Sequence, residues 1–264
     1  MVNLLFRLPL IVSGLMVVAM FSVFAIGGLL LVRRFVLPRL HINHHDAHFC
    51  GTMVHSVMVF YGLALALIAV NVFETYADVS KIVSREATAS AMLYRDISGY
   101  PEPIRSRLQA ELRGYVFQII HGAWPLQERG EVPTQGVEWM NRLQGLLLSF
   151  EPTTDGQELL HAETLRAYNN LIDARRMRVD AVLTRLPELM WIVILSGAVI
   201  SLCASFFFSV EDVRLHAILV TLLAIFIGLV IFLTFAFDRP FIGDLGISAD
   251  PYQLIYDQLM KPQP

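Results

Sequence analysis

The stretch Leu8–Val32, LPLIVSGLMVVAMFSVFAIGGLLLV, is almost uninterrupted hydrocarbon and is closed by Arg33 and Arg34. A helix rises ~1.5 Å per residue, so about 20 such residues cross the ~30 Å apolar core of a bilayer. The run is too long for the apolar region of a secretory signal, and more apolar residues and two arginines follow its small-residue triplet Ala25-Ile26-Gly27. It therefore predicts a retained membrane helix. Three similar runs follow: Cys50 to Phe73, Pro187 to Phe208 and Leu215 to Phe237.

Composition agrees with that reading. The chain has 264 residues, 55% of them apolar and 16% charged, with a net charge of −3. Ordinary soluble domains carry about 25% charged residues. This balance excludes a disordered chain, a basic nucleic-acid binder and a disulfide-stapled secreted module. The two cysteines, Cys50 and Cys203, both lie in or near apolar runs and have no metal-site spacing. Eighteen arginines against two lysines point to the base composition of a bacterial source.

Spans one and two are joined by about 17 residues, and spans three and four by the turn Ser209 to Arg214. Short connections favour antiparallel neighbours, so the expected fold is all-α: four transmembrane helices forming two hairpins, with a soluble helical-bundle insert between spans two and three. The expected divisions are 1–75 for the first hairpin, 76–185 for the insert, 186–238 for the second hairpin and 239–264 for a C-terminal tail. Within the insert, the second span meets no breaker and continues as one helix to Ser98-Gly99. Glu102 or Pro103 opens a second helix that runs to Trp124-Pro125, and a third follows Thr134. Asp155 with Glu158 reads as a capping box for the last helix. That helix is expected to pass without a break into the third span at Pro187, since proline is tolerated in a first helical turn.

No Gly-rich phosphate loop, nucleophile elbow or His-Glu-x-x-His motif is present, and nothing in the sequence asks for an enzyme. The polar residues of the second span are more informative. Thr52, His55 and Ser56 begin it, Asn71 and Glu74 end it, and between Val57 and Val70 the tyrosine phenol is the only ionisable group. Polar side chains in a membrane are costly unless they face protein or water. These five are candidate pore or cavity residues around an apolar, dewettable centre. Close helix packing explains the same small and hydroxyl residues equally well.

In the first linker, His41, His44, His45 and His48 recur at helical spacing around Asp46. They could hold a divalent metal or sense pH, and a solvated interfacial segment is the plainer alternative. The segment Asp238-Arg239-Pro240-Phe241-Ile242-Gly243 marks a helix stop and a turn back along the membrane surface, with Asp238 as a structural cap. Trp124, Trp139 and Trp191 read as packing residues.

Taken together, several motifs resemble those of the bestrophin-like family of four-span bacterial membrane proteins. They are His44-His45-Asp46-Ala47 with Gly51 and Tyr61, Arg85-Glu86-Ala87, Leu93-Tyr94-Arg95, Tyr115, Trp124-Pro125, Leu186-Pro187 with Trp191, and Asp238 to Gly243 with Leu245, Ile247 and Ser248. The Asp-Arg-Pro-Phe-x-Gly segment is the most specific. Two positions depart from the family: His45 stands for its usual Asn, and Ala123 for the Glu of Glu-Trp-Pro. The resemblance implies a homo-oligomeric channel for small inorganic ions, anions by analogy with bestrophins, with the second span lining the pore and Asp238, Arg239, Pro240, Phe241 and Gly243 as a structural or gating motif. The acidic calcium clasp of animal bestrophins is absent. The expected partners are the lipid bilayer and further copies of the chain, with no nucleic acid and, the histidine stripe aside, no cofactor. The expected location is the bacterial inner membrane; Arg33, Arg34 and Arg39 draw the first linker to the cytoplasm, but the basic residues near span ends on the opposite side outnumber them and favour placing the insert and both termini in the cytoplasm. A membrane sensor or scaffold whose insert binds a ligand is the alternative, followed by a metal- or proton-coupled transporter.

Overall fold

The computed structural model describes residues 9–39, 44–208 and 212–261, with the backbone alone for 44–50 and 53. The described residues are helical, with no strand among them. Helix α1 (Leu10–Leu31) runs on through a π-helical turn, Val32–Val36, and α2 spans His44–Ile97. Next come α3 (Ile104–Gln118), α4 (Trp124–Gln127), α5 (Gly136–Leu148) and α6 (Asp155–Ala181). Helices α7 (Glu188–Ser205), α8 (Val213–Phe237) and the short α9 (Asp250–Ile255) follow, and a π-helical turn, Tyr256–Met260, continues α9. Four of these helices (α1, α2, α7 and α8) are long and apolar enough to cross a membrane. The chain divides into two compact units, Met1–Thr75 with Arg185–Asp238, and Tyr76–Thr184 with Arg239–Pro264.

In the first unit the extensive contact is α1 against α8, with α7 beside them. The first span's main neighbour therefore comes from the far end of the sequence, which differs from the expected pairing of consecutive spans. Small residues explain the choice. A Cβ on Gly228 would lie 3.3 Å from the Cα of Val18, and one on Gly14 would lie 3.0 Å from the Phe232 ring. Lipid tails are as apolar as leucine, so helices in a bilayer associate where backbones can approach and pack closely. Ala25, Leu29, Ala198, Leu202 and Ala224 fill the contact and are fully buried. Helix α2 is the exception. Only 11% of its most apolar stretch is buried, against 33% in α8.

The second unit is a helical bundle around Leu93, Ile97, Leu108, Leu112, Ile119, Leu143, Leu147 and Leu171. Two of its features differ from the sequence reading. Helix α6 stops at Ala181 and α7 begins only at Glu188, so the insert's last helix and the third span are not one helix. Pro187 lacks an N–H and pushes Leu186 away from helical geometry, and Pro187 itself is extended, with ψ 143°. The N-cap of α6 is Thr154, not Asp155: its hydroxyl accepts from the Gln157 N–H at 3.3 Å. The segment at Trp124-Pro125 is no stop either, because a π-helical turn, Ile119–Ala123, leads directly into α4. The C-terminal residues also belong to this core, through the buried side chains of Phe241, Ile247, Tyr252 and Met260.

Candidate functional site

A helix turns ~100° per residue, which places Ser56, Phe60, Leu63, Leu67, Val70 and Glu74 on one stripe of α2. All six are exposed. Thr52 and Asn71 flank the stripe and are exposed as well, whereas His55 points about a quarter-turn away. The opposite side of α2 is the packed one. Leu65 and Val72 are buried there, the Tyr61 ring lies where a side chain on Gly197 would be, and its hydroxyl donates to the Ile194 carbonyl at 3.0 Å. Four of the five candidate pore residues thus share one uncovered face, in the order polar, apolar, acidic. His41 lies outside the described residues, as do the side chains of His44, His45 and His48, so the expected metal site does too. Among the described residues no group of three His, Cys, Asp or Glu side chains is placed to hold a metal ion.

The Asp238 to Gly243 segment has two separate tasks. In the first unit, Asp238 closes the break before α7: its Oδ1 accepts from the Leu186 N–H at 2.6 Å and its Oδ2 from the Trp191 indole N–H at 3.4 Å. The latter gives Trp191 a polar role that packing alone did not suggest. In the second unit, the Ile247 N–H donates to the Pro240 carbonyl at 2.8 Å, closing a loop in which Gly243 has φ +86°. A side chain is strained in that left-handed region, which accounts for the glycine. Phe241 is buried edge-on to Trp124, with ring centroids 5.7 Å apart, and the Trp124 indole donates to the Ile247 carbonyl at 3.2 Å. Tyr76 of α2 donates to the Leu245 carbonyl at 2.9 Å. The motif is a structural clasp that seats the C-terminal residues in the bundle.

The bundle also buries a polar cluster that the sequence did not single out as a site. Glu86 of α2 is fully buried and accepts from four donors. Tyr115 of α3 donates at 2.5 Å and Tyr252 of α9 at 3.0 Å, while Arg178 of α6 donates from Nε at 2.5 Å and from its second terminal nitrogen at 3.3 Å. Arg178 also donates to the Gln127 amide oxygen of α4. Four helices meet at one carboxylate, and Arg178 extends the cluster to a fifth. Burial, then the Glu86 charge, holds the Tyr115 and Tyr252 phenols well above their ordinary range, so both remain protonated donors. Burial alone would lower the Arg178 guanidinium, but the Glu86 charge outweighs it and keeps the arginine protonated. A signal for this cluster was present in the pattern: Glu86 interrupts the apolar row Val79, Val83, Leu93, Ile97, and Arg178 the row Leu171, Ala174, Ala181.

Comparison with known proteins follows the same lines. The model of the bestrophin-like domain matches residues 19–252. No curated protein matches the chain in sequence. Among solved structures, a point variant of a bacterial bestrophin homologue from Klebsiella pneumoniae is similar with a TM-score of 0.68 at 10% identity, covering 95% of this chain and 100% of that one. A variant of a membrane protein is similar with a TM-score of 0.67, also at 10% identity, covering 95% of this chain and 99% of that one. At such identity the likeness is one of fold.

Proposed function

The chain belongs to the bestrophin-like family, and on that footing we propose that it is a homo-oligomeric membrane ion channel, conducting anions, with α2 lining the pore and the helical bundle assembling or gating it. The observation that carries this reading is the uncovered face of α2. A helix so apolar and so little covered by its own chain has its partners elsewhere, in lipid or in other copies. A stripe with polar residues at Ser56, hydrocarbon from Phe60 to Val70 and an acid at Glu74 is ill suited to lipid along its whole length. Arranged around an axis it gives two wettable mouths and a hydrophobic constriction, the arrangement that gates by dewetting. Family membership supplies the fold-level analogy to an anion pathway. Against it, a ring of Glu74 carboxylates attracts cations at one mouth, so the anion preference depends on basic groups further along.

In this proposal the protein sits in the inner membrane with both termini and the bundle in the cytoplasm. Reporters at Pro264 and within the 152–156 turn then give the same, cytoplasmic, compartment. The decisive measurement is conductance of the purified protein in planar bilayers under a salt gradient, together with imaging of its oligomeric state. A ring with axial α2 helices and an anion reversal potential supports the reading. A monomer without conductance under varied voltage and pH removes it.

A further inference from the structure

Arg85 lies one residue before the buried Glu86, on the outer side of α2, and its surroundings form a groove about three turns beyond Glu74, where Lys81 and Arg85 continue the exposed stripe of that helix. The groove is open, about 560 Å³; Ser80, Lys81, Ser84, Arg85 and Thr88 of α2 and Asn170 of α6 line it with polar groups, and Ala89 and Met92 complete it with apolar ones. Its two walls are fixed relative to each other, because the Glu86–Arg178 pair joins α2 to α6 just behind it, at 2.5 Å and inaccessible to solvent. The two cations differ in their partners. Lys81 pairs with Asp78 at 2.8 Å. Arg85 has no carboxylate within ion-pair distance among the described residues; it reaches across the groove to the Met177 sulfur of α6, 4.0 Å away, a contact that places the guanidinium without neutralising it.

The hydroxyls add a chemical preference. Ser84 donates to the Ser80 carbonyl at 3.1 Å and Thr88 to the Ser84 carbonyl at 2.9 Å. With their hydrogens engaged, both oxygens offer only lone pairs to the groove. A ligand that fits must carry negative charge for Arg85 and Lys81 and a hydrogen-bond donor for Ser84 and Thr88. Monohydrogen phosphate has both, in its charged oxygens and its remaining P–OH. Sulfate lacks the donor, and a halide lacks it too and is small for the space.

We propose that the α2–α6 groove is a binding site for inorganic phosphate, with Arg85 as the anchoring cation, Lys81 as the second cation, and Ser84 and Thr88 as acceptors for the phosphate hydroxyl. A free ion suits the position better than a lipid headgroup. Arg85 is twelve residues beyond Phe73, the last residue of the apolar run, or roughly 18 Å along the helix, which is further than a headgroup layer reaches. The inference goes beyond the channel reading and stands without it, since binding needs no conduction.

The test is titration of the full-length, detergent-solubilised protein with inorganic phosphate at neutral pH by calorimetry, with sulfate and chloride at matched ionic strength. Saturable phosphate binding is expected, several-fold tighter than sulfate. Loss of one charge-assisted contact weakens it by about ten-fold or more in Arg85→Gln, while Arg107→Gln, which removes a charge outside the groove, leaves it unchanged. Thr88→Val should narrow the phosphate-over-sulfate preference without altering the fold. Equal binding of phosphate and sulfate, binding indifferent to Arg85, or no binding overturns the proposal. So does binding seen only to phosphatidylcholine vesicles containing phosphatidic acid, which would assign the groove to lipid.

Discussion

The two units hold together by different means. In the first, helices α1, α7 and α8 meet through glycine and alanine, and among the described residues buried polar groups are few: Ser13, Ser201, Ser205, His216 and Thr234, besides Asp238 at its edge. In the second, a hydrocarbon core surrounds a carboxylate and a guanidinium, both at 2% exposure or less. The difference follows from the surroundings. An apolar environment rewards close backbone approach and penalises every unsatisfied polar group. A bundle bathed in water already gains from burying hydrocarbon, and can retain a buried ion pair whose carboxylate oxygens are both hydrogen-bonded, as those of Glu86 are.

The largest effect expected from breaking this contrast is in the second unit. Glu86→Ala leaves Arg178 charged and buried without its carboxylate, and should destabilise the bundle by about 3–5 kcal/mol, read as a lower denaturation midpoint of the bundle. If Glu86→Ala costs no more than a surface change, the cluster is not what joins these helices. Gly228→Leu should come next. It forces α1 from α8, where even a Cβ would sit 3.3 Å from Val18 Cα, at about 1–3 kcal/mol by overpacking, and it should leave the bundle's own transition in place. A shift of both transitions together would show that the units do not unfold separately.

A smaller effect, about 1.5–3 kcal/mol, is expected for Tyr252→Phe, which removes one hydrogen bond to a charged acceptor and loosens the C-terminal residues in hydrogen exchange. The same phenol sharpens the comparison through pH. Tyr115 and Tyr252 have folded pKa values raised above the ordinary value of 10.0. Their contribution is therefore complete below about pH 10 and lost as pH rises beyond it, because the unfolded chain ionises first. Stability of the bundle should fall above about pH 10, and less steeply in Tyr252→Phe. The smallest stability effect belongs to Glu74→Gln, within about 0.5 kcal/mol for an exposed position. Its effect is on conduction. Removing the charge should shift the reversal potential towards anion permeability if α2 lines the pore, and an unchanged potential with conductance intact would place Glu74 outside it.

Much of this architecture was legible in the chain. The four apolar runs specify four helices long enough to span a bilayer, since length and transfer energy are properties of local sequence. The absence of a breaker after Phe73 specified the long α2, and the order of polar and apolar residues along it specified a stripe. What could not be read locally was which helix faces which. The pairing of α1 with α8 depends on where Gly14 and Gly228 bring two distant backbones together. The break before α7 needed more than Pro187, because a proline in a first turn is tolerated; it took Asp238, 52 residues away, to accept the Leu186 N–H. The buried cluster is the clearest case. Glu86 and Arg178 each interrupt an apolar row, but nothing local pairs one with the other, and only the fold brings them within 2.5 Å across 92 residues of chain. The sequence by itself determined the elements and their polarity, because helix formation and transfer into an apolar phase are decided within a few turns. The tertiary structure alone decided which charges are buried and which face stays open, because both depend on residues that meet only when the chain has folded.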